Sequence, residues 1–310
     1  MKPIGSFTAA LAALAWLTLP GAAGASPIRV ITTTQDAAYL VAEVGGDHVQ
    51  VESLTRGYQD PHFVDPRPSY LMKLNKADLF VQIGLDLEAG WVPALLNTAR
   101  NPEIVPGARG FLDLGRSIEP LEVPVQVDRS QGDVHPLGNP HYWLGPRRGI
   151  EMSRILRDAL IRVRPAEAET FRARQEDFEA RLTEAIEGWK ARAERIGLSG
   201  AEVVTYHRTW SYFAEEFGLT VVDFVEPHPG VPPSASHVHR LIELMKTHRV
   251  PLLLVEPYFD PKLPERVARD SGAHLVILPS SVGAQSGIES YFDLFERQLA
   301  LIEEALGAGS

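Results

Sequence analysis

Three histidines stand where an imidazole could serve as a ligand. His62 lies in "YQDPHFVDPRPS", a loop stiffened by Pro61, Pro66 and Pro68. His141 lies in "GNPHYWLGP", a second Pro- and Gly-bounded loop with Tyr142 and Trp143 behind it. His207 follows directly on the apolar run "AEVVTY". Neutral imidazole binds Zn2+ well, at about 2.0–2.1 Å. Three histidines without thiolates suit that ion better than Mn2+, Mg2+ or Ca2+, which prefer oxygen. The three lie far apart in the chain, so spacing alone leaves two readings open. One is a shared metal site; the other is separate loop histidines satisfied by solvent and local hydrogen bonds.

Other histidines read as ordinary residues. His48 is in a Gly-Gly-Asp turn, His237, His239 and His248 lie on or beside an amphipathic helix, and His274 adjoins a strand start. His228, in "EPHPG", is a candidate for lining a cleft.

The elements that must position these residues alternate. "PIRVITTT" is a β-branched run suited to a buried strand, "DAAYLVAEVGG" has helical spacing and a glycine stop, and "VQVESLT" is a second strand. The His62 loop follows. "PSYLMKLNKA" then starts a helix with Ser69 at the expected N-cap, and "DLFVQIG" is a third strand. The order returns later as "EVVTYHR", "TWSYFAEEFG", "LTVVDFVEPHPG", "PPSASHVHRLIELMKTHRV" and "PLLLVEP". This internal repeat of strand, helix, strand, loop, Pro-Ser helix and strand predicts two similar α/β lobes with parallel sheets. In such sheets ligands bind beyond the carboxyl ends of the strands. His207 sits at one such end, and all three histidines are expected to face the cleft between lobes.

Between the repeats, "RRGIEMSRILRDALIRV" is a helix ended by Pro165. "AEAETFRARQEDFEARLTEAIEGWKARAERIG" then runs without proline, roughly 45 Å of helix. Phe171, Phe178, Leu182, Ile186 and Trp189 form its apolar stripe. One long rigid helix joining the lobes is expected; a pair of helices bent at Gly188 is the alternative. The expected division is a signal peptide over 1–25, an N-terminal α/β lobe over 26–164, a linker helix over 165–198 and a C-terminal α/β lobe over 199–310.

The opening "MKPIGSFTAALAALAWLTLPGAAGAS" has one positive charge, an apolar run and small residues ending in Ala23-Gly24-Ala25, the layout of a signal peptide cleaved after Ala25. Its apolar core is short for a membrane span, which needs about 20 residues. The chain has no cysteine, which rules out disulfides, thiolate metal sites and a lipid-modified cysteine. Export without an anchor points to the periplasm of a Gram-negative bacterium, with full secretion as the alternative. The formal charge of −10 argues against nucleic acid as a partner, because phosphate binding rests on clustered Lys and Arg.

"YQDPHFVDPRPSYLMKLNKADLFVQIGLDLEAGW", "NPHYWLGP", "VVTYHRTWSYFAEEFGL" and "EPHPGVPPSASHVHRLIELMK" together resemble the metal-binding solute-binding proteins of ABC transporters, in the zinc-binding, ZnuA-like branch of the TroA-like family. The resemblance spans the mature chain. It implies two α/β lobes joined by a rigid helix with the metal between them, and His62, His141 and His207 as ligands. Manganese-binding relatives often carry an acid at the third position, so His207 favours zinc. Zn2+ would be captured in the periplasm and delivered to an inner-membrane ABC permease with a cytoplasmic ATPase. Whether a periplasmic metallochaperone loads the protein is left open. The chain is expected to act as a monomer and not as an enzyme. The alternatives are manganese or iron transport within the same family, or a three-histidine zinc hydrolase, for which no general base stands at a diagnostic spacing.

One departure concerns the fourth ligand. Where many relatives carry an aspartate after the last strand, this chain reads "HLVILPSSVGAQ", with Ser280 and Ser281. Glu256, ending "PLLLVEP", is the protein candidate, with water as an alternative ligand. Glu256 could instead orient a histidine ring, and Asp60 and Asp65 could do the same. Zinc-binding relatives often carry a metal-collecting His/Asp-rich loop near Asp133 and His135, which makes these two accessory candidates.

Overall fold

The computed structural model describes residues 26–124 and 135–307. The expected signal peptide and Asp133 therefore lie outside the described residues.

In the first lobe the order is β1 (Ile28–Thr32), α1 (Gln35–Gly45), β2 (Val49–Ser53), α2 (Pro68–Asn75), β3 (Leu79–Gln82), α3 (Val92–Ala99) and β4 (Phe111–Asp113). Then α4 (Pro146–Val163) and α5 (Ala168–Arg195) lead into the second lobe. That lobe comprises β5 (Glu202–Thr205), α6 (Ser211–Phe217), β6 (Thr220–Phe224), α7 (Ala235–His248), β7 (Leu252–Val255), α8 (Lys262–Ser271), β8 (His274–Ile277) and α9 (Tyr291–Gly307). The sheets run β2-β1-β3-β4 and β6-β5-β7-β8, every pairing parallel. The repeat seen in the sequence is thus a repeat of topology.

It extends to hydrogen bonds at the strand ends. The Thr32 hydroxyl donates to the Thr34 carbonyl, and the Thr205 hydroxyl donates to the His207 carbonyl. Thr32 pairs with Val81 and Thr205 with Leu254, at corresponding places in the two sheets. His207 therefore occupies in the second lobe the place that Thr34 occupies in the first.

The two Pro-Ser helices start differently. Ser234 caps α7, accepting the His237 amide. The expected cap at Ser69 is not made: α2 begins at Pro68, and Arg67 is the N-cap with no side-chain hydrogen bond. Proline lacks an N–H and has its φ preset, so it is at home in the first helical turn and moves the start one residue earlier.

Helix α5 continues unbroken through Gly188, which has open space around it. Its 28 residues span about 42 Å. Phe171, Phe178, Leu182, Ile186 and Trp189 are buried along its stripe. One apolar cluster takes in that stripe, Val30 and Val81 of the first sheet, Val203 and Leu254 of the second, and Leu294 and Phe295 of α9. Each fully buried large side chain contributes about 1.5–3 kcal/mol, so this shared core fixes the lobes against each other. Two smaller clusters fill the outer layers, around Phe80 in the first lobe and Leu253 in the second.

Candidate metal centre

Two of the three histidines are built by the same local device. In Asp60-Pro61-His62, Asp60 Oδ1 accepts the His62 backbone N–H at 2.9 Å and faces its ring Nδ1 at 2.7 Å. In Asn139-Pro140-His141, Asn139 Oδ1 does the same at 2.9 Å and 2.9 Å. An Asx side chain bonding its own backbone two residues on is a favoured turn, and the intervening proline fixes φ. Here the same oxygen also sets the ring. His207 is placed by the end of β5, and its Nδ1 faces Glu226 Oε2 at 3.5 Å, longer than a hydrogen bond.

With an oxygen opposite each Nδ1, the neutral tautomer holds its proton there and offers Nε2 as a lone pair. One donor atom from each of His62, His141 and His207 comes within 4.8 Å of the others. The ring centroids make a near-equilateral triangle with sides of 5.1, 5.4 and 5.6 Å. His141 Nε2 is buried without a hydrogen-bond partner. These features fit a cation: three imidazole nitrogens converge in a largely buried crevice, with outer oxygens ready to take up positive charge.

The surroundings are anchored to both lobes. Trp91 Nε1 donates to the Pro61 carbonyl at 3.0 Å and steadies the His62 loop. The Tyr142 hydroxyl donates to the Ile83 carbonyl at 2.6 Å, and Trp143 Nε1 to the Ser280 carbonyl at 2.8 Å, so the His141 loop is tied to one lobe by each. Asn139 Nδ2 donates to the Arg208 carbonyl at 2.7 Å, joining the segments that carry His141 and His207.

Burial disfavours protonated imidazole. It pushes His141 well below the usual histidine value, helped by the charges of His62 and His207. His207 is also lowered, chiefly by burial, with Glu226 acting in the opposite direction. At Asp60 burial is the largest effect and raises the pKa, but the hydrogen bonds from the His62 ring and backbone, with the charges of His62 and His207, together outweigh it and hold the carboxyl below its ordinary range.

Glu256 is outside the group of converging donors. It is fully buried, neither carboxylate oxygen has a hydrogen bond of good geometry, and burial raises it to about 8, with the Thr209 hydroxyl pulling the other way. Ser281 is engaged elsewhere, since its hydroxyl and the Val282 N–H both donate to the buried Asp36 carboxylate at the start of α1. Asp65 makes no hydrogen bond or ion pair with the three histidine rings, though it lines a cavity with His62.

Sequence reasoning missed Glu226 and Asn139. For Asn139 the signal was present, because Asn139-Pro140-His141 repeats the pattern of Asp60-Pro61-His62; Glu226 pairs with His207 from a neighbouring strand, which no local spelling announces. His228 lines a cavity of about 240 Å³ together with His135, His141 and His207. His135, read as an accessory candidate, stands with its Nε2 3.2 Å from His62 Nε2.

Two parallel-sheet lobes on a helical spine, with imidazole donors meeting between them, define a metal-binding substrate-binding protein of the ABC-transporter class. The chain belongs to the ZnuA family, described as zinc-uptake complex component A, periplasmic, which matches residues 30–305. It is 27% identical over 314 residues to the zinc-binding lipoprotein AdcA of Streptococcus pneumoniae, covering 98% of this chain and 61% of AdcA. It is 25% identical over 319 residues to the manganese ABC transporter substrate-binding lipoprotein PsaA of the same species, covering 99% of both. A crystal structure of a 138–173 deletion mutant of ZnuA with zinc bound shares the fold, with a TM-score of 0.75 at 24% identity over 90% of this chain and 98% of that one.

Proposed function

We propose that this chain captures Zn2+ in the periplasm through His62, His141 and His207 and delivers it to an inner-membrane ABC permease powered by a cytoplasmic ATPase. The observation that carries this reading is the convergence of three imidazoles, each with an oxygen opposite its Nδ1. Nitrogen donors favour zinc over manganese, which prefers carboxylate and carbonyl oxygen. The family description and AdcA support zinc; PsaA, matched along nearly its full length, supports manganese. Export rests on the leader-like opening. Among the described residues no helix is long and apolar enough to cross a membrane.

The working steps follow from the site. Zn2+ loses water as it meets three Nε2 lone pairs, while Asp60 and Glu226 stabilise the charge placed on the rings. Delivery requires a ligand to be displaced at the permease. Calorimetric titration of metal-free protein with Zn2+ and Mn2+, alone and in competition, tests the reading. Micromolar or tighter Zn2+ binding is expected, lost by orders of magnitude in His62→Ala, His141→Ala or His207→Ala. Tighter binding of Mn2+ would move the assignment to manganese, and no binding of either ion would overturn it.

A further inference from the structure

We propose that Glu88, a buried residue outside the metal site, is the positioning residue that presets His62 and His141 before an ion arrives. This rests on the three-histidine reading above and deepens it, because that reading names the ligands without saying what holds two separate loops in register. Three observations carry it.

The first is a buried hub. Both carboxylate oxygens of Glu88 accept hydrogen bonds away from solvent. Oε1 accepts the Thr33 hydroxyl at 2.6 Å and the Ile83 N–H at 2.8 Å. Oε2 accepts the Gly84 N–H at 3.0 Å. One side chain thus ties the residue after β1 to the two residues after β3. A carboxyl this deep is retained only where donors surround it.

The second is strain. Gly84, Leu85 and Asp86 follow one another with φ of 82°, 51° and 65°, all in the left-handed region. Glycine enters it freely, whereas the side chain of Leu85 crowds its own backbone there. Such a run persists only where its surroundings over-determine it. Glu88 does so by gripping the amides of Ile83 and Gly84 at its start, and the Leu87 N–H closes the turn on the Gly84 carbonyl at 3.1 Å.

The third is where the hub leads. The peptide joining Ile83 to Gly84 is held at both ends: its N–H bonds Glu88, and its carbonyl accepts the hydroxyl of Tyr142, the neighbour of His141, at 2.6 Å. The Glu88 carbonyl accepts the Trp91 backbone N–H at 3.1 Å, and the Trp91 ring donates to Pro61, the neighbour of His62. Thr33, bonded to Glu88, accepts the Thr55 hydroxyl at 2.7 Å where the His62 loop departs from β2. His207 is set by β5 and Glu226 in the second lobe, and these bonds do not reach it.

The test uses the full metal-free chain with 15N-labelled histidine, in which long-range proton–nitrogen correlations report the tautomer of each ring. In the parent, His62 and His141 should each show one tautomer, protonated at Nδ1. Glu88→Gln sets an amide N–H against a backbone N–H. It should mix the tautomers of both rings, leave His207 as in the parent, and lower Zn2+ affinity about tenfold or more. Tyr142→Phe should disturb His141 alone, and Trp91→Phe His62 alone. Thermal unfolding reports whether each variant folds. A folded Glu88→Gln protein whose three rings are unchanged, or all changed alike, would overturn the proposal. If that variant does not fold, Tyr142→Phe and Trp91→Phe proteins with unaltered ring signals would overturn it. The ring signals are read without metal, so failure of the parent to bind Zn2+ would sink the three-histidine reading and is a separate result.

Discussion

Asn139 holds His141 through a single oxygen, its Oδ1 accepting the His141 backbone N–H at 2.9 Å and facing the ring Nδ1 at 2.9 Å. Asn139→Ala frees the ring and the turn together. Outer-shell partners of this kind are worth about 10–100-fold in metal affinity, and that loss is the expected result in a Zn2+ titration. Asn139 Nδ2 also donates to the Arg208 carbonyl and to Glu122 Oε2. A destabilisation of about 1–3 kcal/mol should therefore appear in denaturant unfolding of the metal-free variant.

Ligand binding to the folded state alone raises stability by mass action. Zn2+ at a thousand times its Kd adds about 4 kcal/mol, which at this size corresponds to roughly 10 °C in Tm. Scanning calorimetry should show that rise, its reversal by a chelator, and its disappearance in His207→Ala. A rise that persists in His207→Ala would place the stabilising ion elsewhere.

Glu256 separates ligand from bystander. Its folded-state pKa, pushed up from 4.5 to about 8 by burial, lies above the unfolded value. Its contribution to stability is complete below about pH 4.5 and is lost as pH rises through about 8. Glu256→Gln keeps the shape and removes the titration. Zn2+ affinity at pH 7 should stay within about threefold of the parent, and at pH 9 the variant should be more stable by on the order of a few kcal/mol. A collapse of affinity would instead make Glu256 a ligand.

The interlobe contact of Asp36 with Ser281 and Val282 gives a second pH signature. Burial raises Asp36 from 3.8 to about 6, against the lowering effect of the Ser281 and Val282 hydrogen bonds. Its contribution is full below about pH 4 and is lost as pH climbs through 6. Between pH 4 and pH 7 the parent should lose on the order of 3 kcal/mol relative to Asp36→Asn, from the size of the shift. Denaturant unfolding of both metal-free proteins at the two pH values measures this. Parallel behaviour of the pair would remove the cost assigned to the buried charge.

The architecture was legible because period and order carry it. β-branched runs, glycine stops and a repeated Pro-Ser helix start specify topology without knowledge of any contact. Strand-end logic likewise put His207 at the tip of β5, where it stands. Local rules were less secure. Ser69 looked like Ser234, yet Pro68 claimed the first helical position and left Arg67 as the cap. What could not be read was pairing across long separations. Glu226 meets His207 because β6 runs beside β5 in the second sheet, and His135 meets His62 across 73 residues of chain. Asn139 and Asp60, by contrast, act two residues away, and their shared Asx-Pro-His spelling was there to be noticed.

The continuous apolar cluster that binds both sheets to α5 and α9 bears on how cargo could leave. Prising the halves apart like a clamshell would wet Phe171, Phe178 and their neighbours, a heavy toll for unloading one ion. On the transport reading, discharge falls instead to the short proline-braced segments at the crevice mouth. A membrane partner that nudges one imidazole off its Asx anchor has done enough, and the scaffold beneath stays still, ready for the next atom.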